Sequence, residues 1–192
     1  MANYHAIAAT SQTLVNLLTG ARPAGVLHNI DIALLPLDEG VTLTKGLVVC
    51  LYRIAPNVSR RYPPSRPTAD GTRYRPAINV DLFYALIPIG NGSDIQQRLL
   101  GWAIRTLEDM TVLPATLLNR NTPDTFAADE TVELVFEGLA LQDLSALWEN
   151  VKPQPLLMAN FVARAVCIDS TLPVIQAGDV QTRQFDLARA SS

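Results

Sequence analysis

Histidine, cysteine and lysine are all scarce in this sequence, with two of each among 192 residues. The two histidines, His5 and His28, both lie near the N-terminus, which leaves a serine or cysteine triad with few possible bases. Cys50 and Cys167 sit in apolar segments, without CxxC or Cys/His spacing, so they read as buried free thiols and no metal site is expected. No GxSxG, HExxH, EF-hand or P-loop pattern occurs, and no cofactor is expected. Charged residues make up only 17% of the chain and the net charge is -3, which argues against a globally basic nucleic-acid binder. The longest apolar runs, such as Gly46 to Leu51 and Leu82 to Ile89, fall short of the ~18 residues of a membrane span, so no membrane insertion is expected. Met1 to Thr19 lacks the basic start and continuous apolar stretch of a secretory signal, and synthesis is expected to end in the cytoplasm.

What is present is a large apolar fraction, 48%, enough for one compact domain with a sizeable core. Asn3 is placed to cap a helix over Tyr4 to Thr19, with Ile7, Leu14, Val15, Leu17 and Leu18 as its apolar side and Gly20 at its end. Val26 to Leu35 reads as a first strand. Gly46 to Ala55 reads as a second, with Val48, Cys50, Tyr52 and Ile54 on one face and Leu47, Val49 and Leu51 on the other, interrupted by Arg53. Ala77 to Ile89 is a third strand of the same two-faced kind. Gly90-Asn91-Gly92 then turns the chain into a helix reaching about Asp109, for which Ser93 and Gln96 form a capping box. Thr111 to Asp129 reads as irregular. Glu130 to Glu137 alternates Val132, Leu134 and Phe136 with Glu133 and Glu137, a strand with one wet face. A short helix over Leu141 to Asn150 and a last strand over Leu156 to Asp169 complete the pattern. The expected fold class is α+β, a mixed and largely antiparallel sheet of about four or five strands flanked by helices. Residues 1–170 form the domain and 171–192 a polar C-terminal tail.

Pro56 to Pro76 stands apart. Five prolines deny it helix and ladder alike, and Arg60, Arg61, Arg66, Arg73 and Arg75 face one acid, Asp70. The stretch carries +4 and the rest of the chain -7. A long structureless loop in a compact domain points to function, and arginine is favoured at protein interfaces, so these five residues are the candidate docking element. Asp81, inside an apolar strand, is costly to bury alone; a buried ion pair or hydrogen bond, with Arg53 or Arg98 as partner, is expected in preference to a catalytic acid.

Five segments in order carry a resemblance: Leu47 to Asn57, Arg75 to Leu86, Gln97 to Ile104, Leu141 to Trp148 and Val162 to Ser170. Together the chain from Tyr4 to Ser170 resembles the tail-terminator, or cap, proteins of extracellular contractile injection systems of the antifeeding-prophage type, which are related to contractile phage tail terminators. Two positions depart from that pattern: Phe83 stands where the family usually has histidine, and Ala140 where it has a helix cap. The resemblance implies a non-enzymatic structural protein. It would form a ring, expected to be a hexamer, that ends the inner tube and sheath opposite the baseplate. Its partners would be itself and the sheath and tube proteins, within a phage-tail-like particle that can be released from the cell. The other readings are a tail-completion protein of a contractile phage, and a small-ligand binder or orphan enzyme using Thr111 to Asp129 as a lid over a cleft near Asp81.

Overall fold

A computed structural model describes residues 3–23, 25, 29–35, 44–60, 71–90, 92–139, 145 and 157–174. The elements in chain order are α1 (Ala6–Gly20), β1 (Asp31–Leu34), β2 (Gly46–Pro56), β3 (Ile78–Ile89), α2 (Ser93–Glu108), β4 (Val112–Pro114), α3 (Ala115–Leu118), β5 (Thr131–Phe136) and β6 (Ala159–Ile168). The six strands form one mixed sheet in the order β1-β2-β3-β6-β5-β4. Only the β1–β2 pair is parallel. The α+β class is therefore as expected, with one strand more. The short helix expected over Leu141 to Asn150, the first residues of the first strand, and the tail beyond Val174 lie outside the described residues.

The sheet owes its two cores to period-two alternation in its central strands. Leu47 and Val49 of β2, Leu82, Tyr84 and Leu86 of β3, and Phe161 and Ala163 of β6 are buried on the face that carries α1 and α2. Val48, Cys50, Ala85 and Ile87 form a smaller apolar cluster on the reverse face. Cys50→Ser, which would place a hydroxyl in that cluster, is expected to cost about 1–3 kcal/mol in denaturant titrations. A bulge at Tyr52 alters the second strand's alternation, because Leu51 pairs with Tyr84 but Arg53 pairs with Phe83. Arg53 thus stands over the Phe83 ring at 4.8 Å, and Ile54 falls opposite Leu82.

Helix α1 buries hydroxyls as well as hydrocarbon. Thr10, Ser11 and Thr13 donate to the carbonyls of Ala6, Ile7 and Ala9 at 2.8, 3.1 and 2.8 Å, so each buried side chain keeps a partner. The helix begins two residues later than the sequence suggests. Asn3 organises the turn before it: its Oδ1 accepts from the His5 N–H and its carbonyl from the Ala6 N–H. Gly20 belongs to the last turn rather than following it. In α2 the expected capping box is not formed. Gly92, with φ +105°, takes the cap position that its lack of a Cβ permits, so Ser93 becomes the first helical residue. Gln96 Nε2 reaches back to the Gly90 carbonyl and Ser93 Oγ accepts from Gln97.

Ser11 also meets the Tyr84 hydroxyl at 2.8 Å, joining α1 to the middle of the sheet. Burial pushes the Tyr84 phenol upward, and the bond to Ser11 opposes that shift. Its contribution to stability is fully present below the unfolded phenol's value near ~10 and is lost as pH rises toward the higher folded value. Melting temperatures of the wild type should therefore fall between about pH 9 and 11, and Tyr84→Phe should remove that component of the fall. At neutral pH the same change should cost only about 0.5–1.5 kcal/mol.

Candidate assembly surface

The Arg-rich stretch leaves and rejoins the sheet at one end of its central strands. At its root, the Asn57 N–H donates to the Asn79 carbonyl at 2.9 Å, and Asn57 Oδ1 accepts from the Arg60 N–H at 2.7 Å. Asn79 Nδ2 in turn donates to the Arg60 carbonyl at 2.7 Å. The two amides thereby hold the turn at Arg60 on the β2–β3 ladder and leave the guanidinium exposed. At the far end, Tyr74 and Pro173 form an antiparallel bridge, with Arg75 N–H donating to Leu172 O at 2.9 Å and Val174 N–H to Arg73 O at 2.7 Å. Arg73 and Arg75 are exposed. The stretch expected to be irregular up to Pro76 is thus paired at Arg73 to Arg75, and its partner is the beginning of the tail. Arg61 and Arg66 lie outside the described residues.

Asp81 has a structural task, and its partners differ from those expected. Between Val80 and Leu82 the β3–β6 register shifts, so Arg164 and Ala165 together face Asp81. Ala165 adopts φ +55°, a left-handed conformation costly for a residue with a Cβ. Asp81 Oδ1 accepts its N–H at 2.9 Å and accepts from Asn57 Nδ2 at 2.8 Å. One carboxylate therefore closes a bulge and steadies the root of the Arg-rich stretch. Arg53 is exposed over Phe83, and Arg98 pairs with Asp94 one turn back on α2, so neither serves Asp81. Both arginines sit at the surface rather than among buried polar groups, because each has an outer face or a helix neighbour to satisfy it.

The stretch from Thr111 to Asp129 is more ordered than its prolines suggest. It holds β4 and α3, and Asn119 then clasps Phe126 with two 2.8 Å bonds, one to its N–H and one to its carbonyl. Thr13 Oγ1 and Asn16 tie it to α1 through the Leu117 carbonyl and Asn121. A segment held in this way is not poised as a lid over Asp81. Strand β4 escaped sequence reading because three residues ending in proline carry almost no periodic signal. Among the described residues, Glu130, Cys167 and Asp169 are the one group whose ligand atoms converge, within 4.8 Å. Glu130 Oε2 is engaged there by the Ala127 N–H at 2.7 Å.

These features define an α+β scaffold with Arg60, Arg73 and Arg75 exposed at the two ends of the Arg-rich stretch. Residues 9–182 match the Pvc16 N-terminal domain family, and the chain belongs to that family. No curated protein matches it in sequence. Two solved structures are similar in fold. One is the sheath/tube terminator, in the extended state, of the PVC extracellular contractile injection system, with TM-score 0.59 and 14% identity over 97% of this chain. The other is the anti-feeding prophage cap, a tube-terminating cap, with TM-score 0.55 and 14% identity over 95% of this chain. The chain spans 64% and 60% of those two proteins.

Proposed function

We propose that this chain is a non-enzymatic terminator of a contractile injection system, a ring of six copies that ends the inner tube and sheath at the end away from the baseplate. The observation that carries the reading is the family match over residues 9–182, joined to a fold shared with two tube or sheath terminators over nearly the whole chain. Its partners are further copies of itself and the tube and sheath proteins, without nucleic acid, and it works as part of a particle assembled from proteins made in the cytoplasm. Residues 1–170 supply the body and 171–192 a tail for attachment.

The five arginines serve assembly in this reading. An exposed ion pair contributes only about 0–1 kcal/mol, but several desolvated together at an interface decide between ring and monomer. Deleting the gene in a producing strain should yield tubes and sheaths of uncontrolled length in electron micrographs, restored by the wild-type chain. Arg60→Ser/Arg61→Ser/Arg66→Ser should preserve the circular dichroism spectrum yet strip the protein from purified particles, and high salt should produce a milder loss in wild type. Normal lengths in the deletion strain would refute the terminator role. A triple variant that still caps at low and high salt would take the arginines out of docking.

A further inference from the structure

A basic surface built around exposed apolar side chains and a weakly acidic surface, with two glutamates and one exposed valine, lie on opposite faces of the sheet. We propose that they are the two halves of one head-to-tail contact between copies of this chain. The inference rests on the reading of the chain as an assembly unit and names the surfaces that assemble it.

The first surface is at the end of the sheet where the Arg-rich stretch is rooted. Ile54, Val58 and Ile78 are 50%, 92% and 48% exposed. Ile54 pairs with Leu82, and Ile78 shares Leu82's parity along β3, so both belong to the helix-bearing face beyond the cover of the helices. One step past the ladder, Asn57 bonds to Asn79, which brings Val58 alongside Ile78. Arg60 follows Val58 at its turn, and Arg73 and Arg75 precede Ile78 in the chain, directly across the bridge from Val174 and Leu172, both exposed. Contiguous exposed hydrocarbon on neighbouring strands, flanked in the chain by arginine, has the composition of an interface rather than of open surface.

The second surface is on β4 and β5. Val132 and Leu134 turn into the core, so Glu133 and Glu137 point to the reverse face of the sheet. Val112, 50% exposed, lies directly across from Glu133. Glu137 makes one ion pair, with Arg164 at 3.6 Å, in which both side chains remain about half exposed. Arg164 stands directly across from Glu133 on β6, so these three residues carry a net -1, with Glu133 beside the apolar Val112.

Charge identifies the occupant as a second copy. Residues 56–76 carry +4, and the rest of the same chain carries -7. Complementary patches on different faces of one chain give a heterologous contact, which closes into a ring or continues as a filament, whereas a two-fold dimer would need one self-complementary patch. Arginine is suited to the basic side because its planar fork engages carboxylates through two hydrogen bonds.

The test is sedimentation velocity on the full chain over a concentration series, at low and high salt. The wild type should associate, less so at high salt. Arg73→Glu/Arg75→Glu and Glu133→Arg/Glu137→Arg should each weaken association by about tenfold or more. All four changes in one chain should restore it to near the wild-type level. Circular dichroism and melting temperature report whether each variant folds. Should a reversal not fold, Arg73→Gln/Arg75→Gln and Glu133→Gln/Glu137→Gln must weaken association instead. A wild type that stays monomeric, reversals without effect, or a folded quadruple variant that stays dissociated would each overturn the contact. A chain that caps particles but ignores the charge swaps leaves the terminator role standing without this interface; one that obeys the swaps but caps nothing does the reverse.

Discussion

Gly46→Val is expected to detach β1 from the sheet and to lower the stability of the whole domain. Gly46 pairs with Asp31 in the parallel β1–β2 ladder, and a Cβ at position 46 would overlap the Asp31 carbonyl oxygen. The three atoms nearest to that Cβ are all Asp31 backbone, so no rotamer change can make room. Overpacking costs about 1–3 kcal/mol where side chains can yield, and more where the main chain must move. Thermal unfolding would register the loss. Hydrogen exchange would localise it, with protection falling first across Asp31–Leu34 while β3 and β6 keep theirs. A valine variant that melts with the wild type would show that the two strands do not approach as described.

Asp81→Ala should be nearly as severe and should also reach the basic segment. It leaves the half-buried Ala165 N–H and the Nδ2 of the buried Asn57 without their acceptor, at about 1–3 kcal/mol for the buried donor and less for the other. Ala165 then has nothing to hold it in its left-handed conformation, so the bulge is expected to relax and the β3–β6 register beyond Val80 to loosen. Asp81→Asn keeps an acceptor oxygen and should recover much of the loss. Denaturant midpoints for the two variants measure the difference. Faster proteolysis near Arg60 in the alanine variant would report the freed root of the segment. Equal stability of the alanine variant and the wild type would remove Asp81 from this role.

The central strands were legible in the sequence because both of their faces are apolar, a pattern that survives any error in neighbouring assignments. Their bulges were not. A one-residue register shift at Tyr52 leaves no compositional mark, yet it puts Arg53 on the reverse face and Ile54 opposite Leu82. The same limit explains Asp81: an acid in an apolar strand demands a partner, but that partner is a backbone N–H exposed by a bulge in β6, 84 residues away. Positive φ at Gly92 moved a helix start by one residue, and glycine in a turn does not announce which sign of φ it adopts. The basic segment was visible from charge alone. Its pairing with the start of the tail was not, since a bridge made by main-chain groups on either side of Tyr74 and Pro173 depends on no side-chain pattern.

That bridge also governs how force would pass through the molecule. The described residues end at Val174, six residues past β6, a strand flanked by β3 and β5 rather than one at the rim of the sheet. A pull along β6 on whatever is fastened beyond Val174 first meets the two hydrogen bonds at Arg73 and Arg75, and then the β3 and β5 ladders loaded side by side. Bonds sheared together share the load, whereas a tether rooted on an edge strand would peel its ladder one bond at a time. Resistance to pulling is set by the unfolding rate rather than by equilibrium stability, and the bulge closed by Asp81 lies in the path of that load, behind the three β3–β6 pairs nearest the tail.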